Sequence, residues 1–99
     1  MRKIGQNHHT PDGFELFMDA EDESGQTYKF CVCSIQDGQK LFFDKLTDIR
    51  IWKRKVEDER LKAKGLSTLK ERIESAINSQ DIDEELGQKM IKYAYGETT

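Results

Sequence analysis

Residues 28–43, YKFCVCSIQDGQKLFF, decide the fold of this chain. Side chains alternate in character along the first half, and a second apolar run follows the pair Asp37-Gly38. Asp-Gly is a preferred pair for a two-residue hairpin turn, because both central residues need a positive φ that glycine reaches without steric cost. The segment therefore predicts two antiparallel strands, over about residues 27–36 and 39–44, joined by a tight turn.

An earlier strand is predicted over residues 14–20, FELFMDA, where apolar side chains recur with period two. The polar, glycine-containing stretch 20–26, AEDESGQ, connects it to the next strand as a loop. Residues 1–12 carry little apolar surface and end in a Pro-Asp-Gly turn. We therefore expect residues 1–12 to form a flexible N-terminal arm and residues 13–99 to form a single domain.

The second half of the chain has the pattern of helices. Ile49, Trp52 and Val56 share one helical stripe, and good helix formers fill residues 55–64 before Gly65. Residues 49–56 also alternate loosely, so a fourth strand is the competing interpretation of that segment.

A capping box, Thr68 with Glu71, predicts the start of a second helix. A third helix follows a short polar linker, and its packed face is predicted from apolar residues at helical spacing: Ile82, Leu86, Met90 and Tyr93. The predicted fold class is α+β, with a three-stranded antiparallel β-meander followed by about three α-helices, a long helix and a C-terminal αα-hairpin.

Composition limits the class of protein. Charged residues make up 35% of the chain, against about 25% in a typical domain, so the core must be thin. No apolar run is long enough to span a membrane, and the N-terminus lacks the apolar segment of a secretory signal. Cys31 and Cys33 lie on one face of a strand, a spacing that does not suit a disulfide. We therefore expect a cytoplasmic protein with reduced thiols.

Catalytic and metal chemistry find little support in the sequence. His8, His9, Cys31 and Cys33 are potential zinc ligands, but adjacent histidines in a loose arm do not have the spacing of a structural zinc site. No phosphate-binding loop, nucleophile elbow or metalloprotease motif occurs. We expect no enzyme activity, no metal and no cofactor.

Acidic side chains crowd the connection between the first two predicted strands. These candidate partner-binding residues are Asp19, Glu21, Asp22 and Glu23. No helix N-terminus is predicted there, so a helix dipole does not account for the charge. We expect this loop to dock against a basic surface on another protein.

A basic segment offers an alternative site. Residues 49–64 contain seven Lys and Arg and three acids, with Trp52 among them, and basic residues beside an aromatic ring can bind nucleic acid. The candidate nucleic-acid-binding residues are Arg50, Lys53, Arg54 and Lys62. Against this, carboxylates at i,i+4 spacing interrupt the basic face, and Trp52 lies on the apolar stripe.

The function expected from the sequence is therefore binding: a small adaptor or inhibitor that occupies a surface of a larger protein. The alternative is a nucleic-acid-binding protein that uses residues 50–64. A homodimer is compatible with the pattern, no membrane partner is expected, and an origin in a phage or mobile element would suit such a small protein.

Overall fold

The structure, a computed structural model, describes residues 1–96. The elements in chain order are β1 Arg2–Gly5, β2 Phe14–Glu21, β3 Thr27–Ser34, β4 Lys40–Phe43, α1 Leu46–Ala63, α2 Leu69–Asn78 and α3 Glu84–Tyr95. This arrangement confirms the predicted α+β class. The chain divides into two compact units, Met1–Lys53 and a second unit that begins at Arg54.

The sheet is an antiparallel meander in the order β1-β2-β3-β4, with one strand more than predicted. The additional strand, Arg2–Gly5, lies inside the segment expected to be an arm, and it pairs with β2 through Arg2 opposite Met18 and Lys3 opposite Phe17. Its side chains are mostly exposed. An edge strand held by backbone pairing needs no apolar alternation, so its sequence carried no periodic pattern. The flexibility of the arm and the single domain over residues 13–99 stay predictions.

The connection between β3 and β4 lies where the sequence placed it, but it is longer than predicted. Ser34 N donates to Gln39 O at 2.9 Å, and residues 35–38 form the loop between them. Within residues 35–38 only Gly38 has a positive φ, of 72°, so the prediction of a two-residue turn with two positive φ angles was wrong. The Asp37 carboxylate instead accepts a hydrogen bond from Gln39 N at 3.0 Å. Asp-Gly therefore closes a four-residue loop, because aspartate stabilises the turn through its side chain and glycine supplies the left-handed residue.

The core of the first unit lies between the sheet and the first half of α1. Its members are the buried Leu16, Val32 and Ile49, with Phe14, Phe30, Phe43 and Trp52 packed against them. The Trp52 ring meets Phe14 edge to face at 5.0 Å between centroids and lies 5.9 Å from Phe43. Residues 49–56 are thus helical, and the competing fourth-strand interpretation of that segment is wrong.

The second unit contains the end of α1 and the helices α2 and α3. Gly65 follows α1 with a φ of 73° and donates to Lys62 O, as a glycine C-cap does. The capping box at the start of α2 is confirmed: Glu71 N donates to the Thr68 hydroxyl at 3.2 Å, and Thr68 N donates to the Glu71 carboxylate at 3.1 Å. The hydrogen bond from Thr68 N, followed by that from the Thr68 hydroxyl, lowers the pKa of the Glu71 carboxyl group.

A buried carboxylate ties the three helices of this unit together. Asp58 on α1 is 8% exposed and receives Arg54 Nε and Nη2 at 3.0 and 2.9 Å. The Tyr95 hydroxyl on α3 donates a short hydrogen bond to the other Asp58 oxygen and accepts one from Lys70 N on α2 at 2.9 Å. Each buried polar atom of the cluster thus has a partner, which is the condition for burying a charge at low cost.

Helix α3 packs on α2 with a different face from the one predicted. Gly87 and Ile91 are buried, whereas Leu86, Met90 and Tyr93 are exposed. A Cβ built at Gly87 would overlap Ile77 of α2, at 2.6 Å from its Cγ1. The helices approach closely because position 87 has no side chain, so the face with glycine is the packed one. No helix within residues 1–96 has both the length and the apolar character needed to cross a membrane.

Candidate protein-binding surface

The acidic connection between β2 and β3 is a well-organised turn. Asp22 N donates to Gln26 O at 2.9 Å, and Gly25 N donates to Asp22 O at 3.1 Å. The Asp22 carboxylate also accepts hydrogen bonds from Ser24 N at 2.9 Å, from the Ser24 hydroxyl at 2.6 Å and from Gln26 N at 3.0 Å. Asp22 is therefore the residue that shapes the loop, as aspartate does in an Asx turn.

These contacts set the ionisation of the loop. The hydrogen bond from the Ser24 hydroxyl, followed by the backbone donors, holds the pKa of Asp22 below its ordinary value of 3.8. The Tyr28 hydroxyl reaches the second Asp22 oxygen at 3.3 Å, and desolvation together with this carboxylate raises the pKa of Tyr28. At neutral pH the loop therefore presents a fixed carboxylate beside a neutral phenol, flanked by the exposed Glu21 and Glu23.

Two surface depressions adjoin the acidic loop. The larger, of about 660 Å³, reaches from the loop to the β3–β4 connection, and its lining is Glu21, Asp22, Glu23, Ser24, Gly38, Lys40 and Phe42. The second, of about 490 Å³, is lined by Asp19, Ala20, Glu21, Thr27, Tyr28, Lys29 and Asp44. Five carboxylates and two lysines line the two depressions, so the surface is acidic overall.

An aromatic pair lies within this surface. The rings of Tyr28 and Phe42 are 5.0 Å apart between centroids, with 32° between their planes. Each residue lines one of the depressions and is only partly buried. Tyrosine and phenylalanine are enriched in the contact cores of protein interfaces. The surface thus combines charge with apolar contact area.

All four predicted acids line these depressions, and the lining also includes Tyr28, Phe42 and Asp44. Asp19 is exposed and has a φ of 57°, a left-handed conformation that aspartate tolerates better than most residues. Asp44 accepts a hydrogen bond from Lys29 N at 3.3 Å. Sequence reasoning missed Asp44, Tyr28 and Phe42. The available indication was the meander itself, since the C-terminal end of β4 lies at the same end of the sheet as the β2–β3 loop.

The basic residues of α1 are placed differently. Lys53, in the first unit, donates from Nζ to the His8 carbonyl at 2.6 Å. Arg54, in the second unit, pairs with Asp58 and lies 3.5 Å from Glu57. Arg50 is partly buried, and Lys62 is exposed. Trp52 belongs to the core of the first unit, as its place on the apolar stripe indicated.

The histidines and cysteines form no metal cluster in the part of the chain that the structure describes. The rings of His8 and His9 lie 3.8 Å apart between centroids, with 44° between their planes. Cys31 is fully buried in β3, and this burial raises the pKa of its thiol; neither Cys31 nor Cys33 is in a disulfide. Over residues 1–96, no three His, Cys, Asp or Glu side chains converge as metal ligands would.

Comparison with known proteins assigns this chain to no family. No protein-family model, no curated protein and no solved structure matches the chain.

Proposed function

We propose that this chain is a small cytoplasmic binding module, an adaptor or inhibitor, that docks on a basic surface of a larger protein. The observation that carries the proposal is the acidic loop, held in one shape by Asp22 and set beside the Tyr28–Phe42 pair. Charge and aromatic contact area occur together there, and protein interfaces use both, the first for steering and the second for contact.

The two parts of the surface have different roles in the proposed complex. Exposed carboxylates such as Glu21 and Glu23 attract a basic partner over a distance and mainly raise the association rate. The half-buried rings of Tyr28 and Phe42 supply contact area once the partner has arrived. Because Asp22 already orders the loop, little conformational entropy is lost on binding.

Catalysis is a poorer explanation of the same residues. A general acid that works near neutral pH needs a carboxyl group whose pKa is raised toward 7. The pKa of Asp22 is shifted in the opposite direction, and this carboxylate is occupied by hydrogen bonds from its own loop. Asp22 therefore suits electrostatic recognition better than proton transfer.

The nucleic-acid alternative loses support from the contacts of α1. The Trp52 ring packs against Phe14 and Phe43 and is not presented for base stacking. Lys53 and Arg54 are engaged with a carbonyl and with carboxylates. Binding phosphates with these two residues would require breaking those contacts, which an exposed cationic groove does not require.

The test compares two double charge reversals that change the net charge equally. Glu21→Lys with Glu23→Lys alters the loop and spares Asp22, which shapes it. The matched control, Glu59→Lys with Glu74→Lys, alters exposed acids of the second unit. The tagged wild-type chain and both variants are used to capture partners from the source cell, and mass spectrometry quantifies the captured proteins.

We expect wild type and control to capture the same basic protein, and the loop variant to lose it. With that protein purified, the loop variant should associate about tenfold more slowly at low salt and show a flatter salt dependence. Equal losses in both variants would point to net charge alone, and unchanged capture by the loop variant would contradict the proposed surface. Nucleic acid in place of a protein in the captured fraction would favour residues 50–64.

A further inference from the structure

The two edges of the sheet differ in how well they are protected against a further strand. At the β1 edge, Arg2 and Lys3 are exposed, and the register with β2 shifts between Lys3 and Gly5. Cations and irregular pairing of this kind discourage the addition of another strand. At the β4 edge, the four residues Lys40–Phe43 pair with β3 in one continuous register. Over residues 1–96 no strand lies beyond β4, so this edge is the less protected of the two.

The hydrogen bonds of β4 leave alternate backbone groups for a partner. Ser34 N donates to Gln39 O at 2.9 Å, which fixes the alternation along the β3–β4 ladder. In an antiparallel pair every second residue bonds to the neighbouring strand, so the backbone groups of Gln39 and Leu41 face β3. The N–H and C=O groups of Lys40 and Phe42 therefore point toward the open edge.

The two faces of β4 have different chemistry. Leu41 lies opposite Val32, and Phe43 packs against the core, so both are on the core side of the sheet, where they are half-buried. Lys40 and Phe42 are on the opposite face and line the larger acidic depression. A strand added at this edge would place its side chains alternately beside an apolar face and beside an acidic one.

Charge also varies along β4. The exposed Lys40 begins the strand, and the exposed Asp44 follows its last residue. Asp44 and Glu21 line the second depression, beside the end of the strand. An antiparallel partner strand continues the meander and is the more stable kind of pairing. Such a strand would meet carboxylates at its N-terminal end and a cation at its C-terminal end.

We propose that the partner binds by strand addition, with an extended basic segment that pairs antiparallel with β4; this inference rests on the proposed function. From its N-terminus, the segment carries a basic residue opposite Asp44, an apolar residue opposite Phe43 and a basic residue opposite Phe42. An apolar residue opposite Leu41 and an acidic residue opposite Lys40 complete it. Backbone hydrogen bonds at the open edge supply affinity, and the alternating side chains supply specificity.

Synthetic peptides test the direction and the charge pattern. The probe carries the sequence Arg-Val-Arg-Val-Glu between neutral flanks, and its control carries the reversed sequence Glu-Val-Arg-Val-Arg. The two peptides share composition, net charge and alternation, so they differ only in the direction that suits β4. In fluorescence anisotropy with labelled peptide, the probe should bind the full chain with a micromolar to millimolar dissociation constant. The reversed sequence should bind about tenfold more weakly, because it sets like charges opposite each other at both ends.

Methylation of backbone nitrogens separates strand addition from attraction by charge alone. In the proposed register the arginine N–H groups face β4, whereas the valine N–H groups face away from it. A probe that is N-methylated at both arginines should bind about tenfold more weakly, because it loses the hydrogen bonds to the edge. N-methylation at both valines is the matched control and should leave binding unchanged. All three peptides carry the same charges.

Variants at position 40 test the edge itself. Lys40 N points away from β3, so Lys40→Pro removes an outward donor and leaves the β3–β4 ladder intact. Lys40→Ala is the matched control, because it removes the same charge and keeps the donor. Lys40→Pro should weaken binding of the probe beyond the effect of Lys40→Ala, while circular dichroism shows that both variants keep the fold.

Failure of strand addition is distinguishable from failure of the proposed function. Equal binding of the two N-methylated peptides would overturn strand addition and leave attraction by the acidic loop. Equal binding of the probe and the reversed sequence would refute the antiparallel register, and no binding of the probe up to millimolar concentration would overturn the proposed segment. A wild-type dimer that is lost in Lys40→Pro would assign the edge to a second copy. A probe that binds wild type and the Glu21→Lys, Glu23→Lys variant equally would keep the edge as a site and contradict the role of the loop.

Discussion

Replacing Gly87 by alanine has two opposing effects on the stability of the protein. Alanine favours the helix, but its Cβ crowds the contact between α2 and α3. In an exposed helix interior the change stabilises, because alanine is favoured over glycine by about 0.8–1.0 kcal/mol. At position 87 the new Cβ would overlap Ile77, lying 2.6 Å from its Cγ1, and would lie 3.3 Å from Cδ1 of Ile82. Either α2 and α3 must move apart or the Ile77 side chain must leave its position.

The magnitude follows from the two opposing terms. Overpacking of a closely packed contact costs about 1–3 kcal/mol. Subtracting the propensity gain leaves a net loss of about 1 kcal/mol in the free energy of unfolding. The sign is therefore the opposite of that expected for glycine to alanine in a helix, which makes the prediction sharp.

The assay is chemical denaturation followed by circular dichroism, with the same change made in two backgrounds. In wild type, Gly87→Ala should lower the stability. In an Ile77→Ala background the obstructing side chain is gone, and Gly87→Ala should raise the stability by about 1 kcal/mol. The exposed neighbour Gln88 gives the control, because Gln88→Ala should be more stable than Gln88→Gly by a similar amount. Stabilisation by Gly87→Ala in wild type, or an equal effect in both backgrounds, would refute the close approach of α2 to α3.

Three further predictions concern substitutions at single positions. Gly38→Val should cost about 1–2 kcal/mol through backbone strain alone, since its φ is 72° and no atom lies near a Cβ there, and Gly38→Asn should cost less in the same denaturation assay. Tyr95→Phe should cost about 1–3 kcal/mol by leaving buried partners unsatisfied, and it should remove part of the alkaline sensitivity. The raised pKa of Tyr95 gives stability that is complete below pH 10 and is lost as pH rises through the folded-state value, which a pH series of unfolding midpoints measures. The lowered pKa of Asp22 gives stability that is present above pH 3.8 and is lost as pH falls, so Asp22→Asn should weaken the acid dependence in the same series.

The sequence best predicted those features of the fold that depend only on residues close together in the chain. The capping box of Thr68 and Glu71 needs only residues within one turn, so its pattern predicted the start of α2 correctly. The glycine at position 65 likewise marked the end of α1. The meander followed from period-two alternation, which depends on each strand alone.

Features that depend on tertiary contact were not predictable in the same way. Helix α3 has two apolar faces, and the larger one, through Leu86 and Met90, was assigned to packing. Hydrophobicity cannot show that α2 prefers the face with Gly87, because the gain there comes from close approach. Strand β1 was missed for a related reason, since its pairing uses backbone groups that every residue has.

The candidate surface was likewise predicted only where its residues are neighbours in the chain. The four loop acids were found because they are neighbours in the chain. Phe42 and Asp44 joined them only through the pairing of β3 with β4, whose register sets Cys31 opposite Phe42. Tyr28 joined them through the pairing of β2 with β3, which sets it opposite Ala20. The role of Asp22 in shaping the loop was also missed, since composition does not distinguish a carboxylate that accepts hydrogen bonds from one that is free to meet a partner.

Hydrogen–deuterium exchange on the isolated complex tests most directly whether the acidic surface is the one that binds. The free chain and the chain bound to its captured partner are compared peptide by peptide. Slower exchange on binding should concentrate in residues 19–28 and 40–44, which contain the acidic loop, Tyr28, Phe42 and Asp44, with residues 50–64 unchanged. Slower exchange confined to residues 50–64, with the loop exchanging as in the free chain, would contradict the account and make the basic segment the binding surface.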